Sequence, residues 1–160
     1  MERALKIFAT FALLCIAPLA IAQEGDTQSL LPQISALATK YKGKSGVGSL
    51  VVDRGGSKLN MVKMVLRKEF DKEFIEGIKR FAIISYKDAT EELRNEIVDD
   101  IAPIIAPLHE IDVKQKLKPN ARGRGYVRLT PSGERVSDLI IVMESPAPKL
   151  IYFGGDFAAK

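Results

Sequence analysis

Apolar residues recur every three to four positions in two early parts of the chain, which is the spacing of helices with one buried face. The first part has a start signal at Ser29, Pro32 in its first turn, and runs to Tyr41. The second runs over residues 58–74, with charged residues between its apolar positions. The pattern predicts an amphipathic helix in each part, the second broken near Phe70.

A third helical part carries its own start and stop signals. Asp88, with Glu91 three residues later, resembles a capping box, in which a side chain accepts a hydrogen bond from a first-turn backbone N–H. Pro103 lacks the N–H that an interior helix position needs, so it predicts a kink or a new turn. The helix is expected to end near Pro107.

Short runs of β-branched and other apolar residues, bounded by Gly, Pro or Asn, predict the strands. The run Leu139–Met143 contains no polar residue, which is typical of a central strand covered on both faces. The predicted strands are Val47–Asp53, Phe81–Tyr86, Ile111–Leu117, Gly123–Thr130, Val136–Glu144 and Leu150–Phe153. The order of elements predicts an α+β fold, with an antiparallel or mixed sheet of about six strands, two or three helices packed on it, and a C-terminal β-meander.

The start of the chain has the pattern of a secretory signal. Arg3 and Lys6 precede an apolar stretch, and a small-x-small box predicts cleavage between Ala22 and Gln23. The expected location is the periplasm or the outer membrane surface. The expected division is residues 1–22 as a cleaved signal, 23–28 as a flexible N-terminus and 29–157 as one domain.

Two alternatives to cleavage are a retained membrane anchor and a lipidated cysteine. The apolar segment 7–22 is interrupted by Thr10 and Pro18 and is shorter than the roughly 20 residues that span a bilayer. Leu14, just before Cys15, is not the small residue that the lipobox of bacterial lipoproteins has. Cleavage would remove the single cysteine, leaving no disulfide, no thiol chemistry and no transmembrane segment.

Charge and compartment argue against nucleic acid and nucleotides as partners. Removing Glu2, Arg3 and Lys6 from the 24 basic and 20 acidic residues leaves 22 and 19, a net charge of +3 that is too small to indicate nucleic acid. Segment 38–45 resembles a relaxed phosphate-binding loop, but a helix precedes it and a strand follows, the reverse of that motif. We therefore expect a plain helix-to-strand turn and no cofactor.

A series of basic residues alternates with apolar ones at the two-residue period of a strand. The series is Lys114, Lys116, Lys118, Arg122, Arg124 and Arg128. We favour a solvated hairpin face whose charge is neutralised within the fold by Glu134, Asp138 and Glu144. The alternative is a contact site for an anionic partner, such as a lipid headgroup or an acidic protein.

The sequence contains no recognisable catalytic or metal-binding constellation, so an enzyme is not expected. In the acidic doublets Glu91-Glu92 and Asp99-Asp100, neighbouring side chains point roughly 100° apart around a helix and cannot converge on one metal ion. They are expected to be solvated helix faces. His109, the single histidine, has neither the partners of a zinc site nor a serine in a nucleophile elbow.

The order of segments resembles a family of secreted bacterial proteins, the domain of unknown function numbered 4252. The resemblance rests on residues 38–49 before the first strand, residues 78–88 before the long helix, and the closing pair of strands. It covers Leu30 to Phe157 and implies a Gram-negative envelope protein with an α+β fold, often encoded near sigma-factor and anti-sigma regulators. It supplies no catalytic residues. The Pro146-Ala147-Pro148 turn departs from the family pattern and leaves the pairing of the last two strands open.

The leading hypothesis is a non-enzymatic envelope protein that binds another protein or a surface, within a stress-response circuit. The alternative is a periplasmic small-ligand or lipid carrier, with an apolar cavity lined by Met61, Met64, Phe70 and Phe74. The same four residues are also compatible with ordinary core packing.

Overall fold

The computed structural model describes residues 29–158, apart from the side chain of Lys116. The expected signal, its cleavage site between Ala22 and Gln23, and segment 23–28 lie outside these residues. The described part is an antiparallel six-stranded sheet with helices on both faces, which confirms the predicted α+β class.

The elements follow one another in a mixed order that ends in three consecutive strands. The helices are α1 (Leu31–Tyr41), α2 (Ser57–Leu66), α3 (Lys72–Gly77) and α4 (Glu91–Ile105). The strands are β1 (Gly48–Val52), β2 (Ile78–Ser85), β3 (His109–Ile111), β4 (Arg122–Leu129), β5 (Arg135–Ser145) and β6 (Lys149–Ala158). Across the sheet the order is β1-β2-β6-β5-β4-β3, and β4, β5 and β6 form the predicted meander.

The sheet separates two apolar cores, because successive residues of a strand point to opposite faces. Phe81 and Ile141 belong to the core beneath α2 and α3. Ala82 and Ile140 belong to the core beneath α1 and α4. β5 lies inside the sheet and contributes buried residues to both cores, which confirms the prediction from its unbroken apolar run.

The break predicted within residues 58–74 is present, whereas the capping residue predicted before α4 is not the one used. α2 ends at Leu66 and α3 begins at Lys72, so the chain breaks near Phe70 as expected. The capping prediction for Asp88 is wrong, because the residue before α4 is Thr90, whose hydroxyl accepts from the Leu93 N–H at 3.3 Å.

Of the two outcomes predicted for Pro103, a kink or a new turn, the new turn is absent. α4 continues through Pro103 to Ile105, so no new turn begins at the proline. The helix nevertheless ends within two residues of Pro107, close to the expected position.

The predicted strand over residues 111–117 is wrong. The strand there is only His109–Ile111, and a 3₁₀ turn at Lys114–Lys116 follows it. The carboxylate of Asp112 accepts a hydrogen bond from the Lys114 N–H at 2.9 Å, which is the bond of an Asx turn. This turn takes the chain out of the sheet. The alternation of apolar and basic residues in the sequence nevertheless continues after Ile111.

Candidate functional site

Four of the six predicted basic residues line one open groove beside β3, with a volume of about 960 Å³. They are Lys114, Lys118, Arg122 and Arg124. Lys116 belongs to the 3₁₀ turn, whereas Arg128 binds a buried carboxylate and does not line the groove. The structure therefore places five of these residues in two environments, the groove and the buried ion pair.

The groove carries carboxylates as well as cations. Glu110, Asp112 and Glu144 also line it, so its charge is nearly balanced. Arg124 Nε lies 3.6 Å from Glu144 Oε1, and both side chains are more than half exposed (60% and 54%), so this pair contributes little to stability. Together with the Arg128–Asp138 pair at 2.9 Å, this arrangement supports neutralisation within the fold. Glu134, the third expected acid, lies in the turn between β4 and β5.

Asp138 of β5 is fully buried and gathers hydrogen bonds from four elements. Its Oδ2 accepts from Arg128 Nε at 3.0 Å and from the Ser137 hydroxyl at 2.8 Å. Its Oδ1 accepts from the Tyr152 hydroxyl at 2.6 Å and from the Leu30 N–H at 3.1 Å. One carboxylate thus joins β4, β5, β6 and the start of α1.

The Tyr152 hydroxyl extends this cluster toward the start of α1. It lies 2.9 Å from Ser29 Oγ, which in turn accepts from the Leu31 N–H at 3.0 Å. Burial raises the pKa of Tyr152 to about 12, and the charge of Asp138 adds to the shift, while Arg80 opposes it. The phenol therefore stays protonated at neutral pH and donates its hydrogen to Asp138.

Arg80 of β2 lies against the same cluster. Its Nε is buried and has no hydrogen-bond partner among residues 29–158. A Cβ at position 154 would overlap the Tyr152 hydroxyl and lie 2.7 Å from Arg80 Nε, so Gly154 leaves the space these two groups occupy. The hydrogen bonds of this cluster connect β4, β5, β6 and the start of α1, so the cluster stabilises the fold.

Asp100 is expected from the sequence to lie on a solvated helix face, but its carboxylate also contacts two side chains of α1. Lys40 Nζ and the Tyr41 hydroxyl both donate to Asp100 Oδ2 at 2.5 Å, which fastens α1 to α4. The hydrogen bonds from Lys40 and Tyr41 lower the pKa of Asp100. Burial, followed by the bond to Asp100, raises the pKa of Tyr41 to about 12. Sequence reasoning missed this contact, because a doublet shows nothing of what lies on the neighbouring helix.

The segment that resembles a phosphate-binding loop is a turn from the end of α1 to β1, as predicted. Gly43 and Gly46 both have a φ of 82°, a conformation that favours glycine. A Cβ at Gly46 would overlap the backbone of Asp88, whereas one at Gly43 would meet open space. The φ of this turn therefore favours glycine at both positions, and the close approach of the Asp88 backbone adds a second requirement at Gly46.

The outer face of α2, defined as Met61, Met64 and Val65, is the most exposed apolar surface on a helix of the described chain. These side chains are 63%, 62% and 71% exposed. On the opposite side of the helix, Leu59 is buried, and Val62 packs against the core beneath the sheet. α2 therefore has one apolar side that holds it to the sheet and a second that faces outward.

No protein-family model, curated protein or solved structure matches this chain. The resemblance to the secreted bacterial family stays a prediction, and any functional proposal depends on the geometry described above.

The four residues expected to line a carrier cavity do not come together. Phe70 and Phe74 stack with their ring centres 5.1 Å apart and pack edge-on against Phe153 at 5.7 and 5.3 Å. They are partly buried and pack against the core, while Met61 and Met64 point outward. Their placement gives the carrier hypothesis no support.

The described residues provide neither a cluster of metal ligands nor a membrane-spanning helix. Within residues 29–158, no three His, Cys, Asp or Glu side chains are grouped closely enough to hold a metal ion. In the same range, every helix is too short or too polar to cross a bilayer.

Proposed function

We propose that this protein is a non-enzymatic binding module of the cell envelope, which docks through the outer face of α2. The observation that carries the proposal is the exposure of Met61, Met64 and Val65 on one side of a helix whose other side is already packed. Export, expected from residues 1–22, would place the module in the periplasm or on the outer membrane. A link to envelope stress regulation is part of the same proposal.

The spacing of the exposed residues distinguishes this face from ordinary surface apolarity. Single exposed apolar side chains are common on folded proteins and require no explanation. Met61, Met64 and Val65 are related by steps of three and four residues, so they form one continuous row along α2. Methionine is also frequent on surfaces that adapt to their partners, because its unbranched side chain changes shape easily.

Apolar residues on both sides of α2 indicate two separate contacts. Leu59, Val62 and Leu66 already fix the helix to the sheet. The row on the other side does not contribute to that packing, and keeping it in water is unfavourable. A partner that covers it would remove this cost, which is the physical reason to assign binding to this face.

Thiol labelling in intact cells tests the proposal. Met64→Cys and Val98→Cys are introduced separately in a Cys15→Ser background, which contains no other cysteine. Val98 lies on α4, beneath the opposite face of the sheet, and is 48% exposed. We expect the thiol of the Met64→Cys variant to react more slowly in cells than in purified protein, and that of Val98→Cys to react at the same rate in both. Equal rates for Met64→Cys in the two settings would contradict the proposal.

A further inference from the structure

The occupant of the outer face of α2 can be inferred from the charges that surround it. From residue 54 to residue 68 the chain contains basic residues and no Asp or Glu. The basic residues are Arg54, Lys58, Lys63, Arg67 and Lys68. The first carboxylates outside this stretch are those of Asp53 and Glu69. Within residues 54–68 the exposed apolar row is thus accompanied by positive charge alone.

The placement of these cations matches the row. Lys58 lies one turn before Met61, and Lys68 lies about one turn beyond Met64 and Val65. Lys58 and Lys68 are exposed, as are the three apolar residues. A helix in the interface of a membrane buries apolar side chains while nearby lysines reach anionic headgroups, and this row has a lysine at each end that can do so.

We propose that the outer face of α2 docks on the surface of an anionic phospholipid bilayer. This inference rests on the proposed function and names its partner. The apolar row would enter the boundary between headgroups and acyl chains, while the flanking lysines and arginines would contact lipid phosphates. The chain would lie on the bilayer and would not cross it.

The size of the row favours a bilayer over a protein partner. A stable protein interface takes about 800 Å² from each partner, which is far more than three side chains on a ten-residue helix can provide. An interfacial helix needs only shallow insertion of about 5–10 Å together with electrostatic attraction. A lipid surface therefore fits the observed row without requiring any further contact area.

The charges of the neighbouring α3 bear on the choice of partner. They make a second copy of this chain the main alternative to a lipid surface. Its segment carries Asp71, Glu73 and Glu76 together with Lys72, whose Nζ lies 3.7 Å from Glu76 Oε1, so an anionic membrane would repel the net negative charge that remains. The same carboxylates would attract the basic α2 of a second copy of this chain. Self-association through α2 and α3 is therefore the outcome that the experiment must separate from lipid binding.

Vesicle sedimentation with the protein isolated from producing cells tests the inference. The vesicles contain phosphatidylcholine alone or equal parts of phosphatidylcholine and phosphatidylglycerol. We expect binding to the anionic vesicles only, and a loss of about tenfold or more between low salt and about 0.5 M salt, where charges are screened within a few ångströms. Equal binding to both vesicles, or to neither, would overturn the inference.

Three variants assign the binding to α2. The combined Met61→Gln, Met64→Gln and Val65→Thr variant removes the apolar row, and the Lys58→Gln and Lys68→Gln variant removes the cations at its ends. Val98→Thr is the matched control on α4. We expect the first to lose about tenfold or more in affinity, the second to bind more weakly with a shallower salt dependence, and the control to bind like the parent. Parent-like binding by the first variant would overturn the inference.

Three outcomes distinguish a failure of the lipid inference from a failure of the proposed binding function. If the thiol of Met64→Cys is protected in cells but the protein ignores anionic vesicles, the binding module stands and the lipid partner is wrong. If light scattering then shows a dimer that the Glu73→Gln and Glu76→Gln variant abolishes, the occupant is a second copy. If the thiol of Met64→Cys is not protected in cells, the proposed function itself fails.

Discussion

The hydroxyl of Tyr152 donates a 2.6 Å hydrogen bond to the carboxylate of Asp138, and both residues are completely buried. This bond joins the two central strands β5 and β6 on the side of the sheet that α1 covers. Because Asp138 also accepts from Arg128 and from Leu30, the residue just before α1, the sheet and the helix depend on the same carboxylate.

Asp138→Asn should destabilise the protein by about 3 kcal/mol, because it removes the negative charge that the largely buried guanidinium of Arg128 binds and places a neutral amide opposite the hydrogen-bond donors of the cluster. Denaturant unfolding at neutral pH measures the loss. Asp156→Asn is the control, since it breaks an Arg135 pair in which both side chains are about half exposed, at 45% and 54%, and should change stability by about 0.5 kcal/mol or less. Similar losses in the two variants would show that Asp138 is not the central contact.

Alkaline pH should weaken the fold through its buried tyrosines. The pKa of Tyr152 is raised from 10.0 to about 12, so its contribution is fully present below pH 10 and is lost as the pH rises toward 12. Two pKa units correspond to about 2–3 kcal/mol. Tyr152→Phe should therefore unfold more easily at pH 7 but lose less stability than the parent across this range. A parallel pH dependence in parent and variant would contradict the assignment.

Acid should release the contact between α1 and α4. Because the pKa of Asp100 is lowered from 3.8, its contribution to stability is present above that pH and is lost as the pH falls through the lowered pKa in the folded state. Asp100→Asn should be less stable than the parent at pH 7, and the difference should shrink in strong acid. Urea unfolding at several pH values measures it, with Asp99→Asn as the control on the same helix.

Gly43 and Gly46 allow a comparison between two glycines with the same φ of 82° and different surroundings. Gly43→Ala should destabilise by about 1 kcal/mol from backbone strain alone. Gly46→Ala adds a steric overlap with the backbone of Asp88, so we expect a loss of about 3 kcal/mol. Thermal unfolding of both variants checks this order. An equal loss would show that the approach to Asp88 carries no cost.

The central position of β5 can be predicted from the sequence. The apolar run of β5 predicts a central strand, because only a strand covered on both faces can use such residues at every position. The strand predicted around β3 is too long, because the alternation after Ile111 continues although the Asx turn at Asp112 has already taken the chain away. A local side-chain hydrogen bond therefore overrides a periodic pattern.

The buried polar cluster is only partly visible in the sequence. Asp138 stands out as a charge next to an apolar run, and the pattern predicts that it neutralises a basic residue on the neighbouring strand, which it does. Its bonds to Tyr152 and Leu30 join residues from separate elements, so no local pattern indicates them. Likewise, the repeat of apolar residues predicts α2, but not that its row at Met61 and Met64 faces outward.

Docking through the outer face of α2 can be tested by maleimide labelling of the Met64→Cys variant. The quantity to measure is the reaction rate in cells divided by the rate in purified protein. Val98→Cys supplies the same ratio for a surface outside the proposed contact. We expect a ratio near one for Val98→Cys and about one third or less for Met64→Cys, because a covered side chain reacts only when its partner leaves. A ratio near one for Met64→Cys would show that the outer face of α2 is open to water in the cell. The proposed binding function would then be wrong.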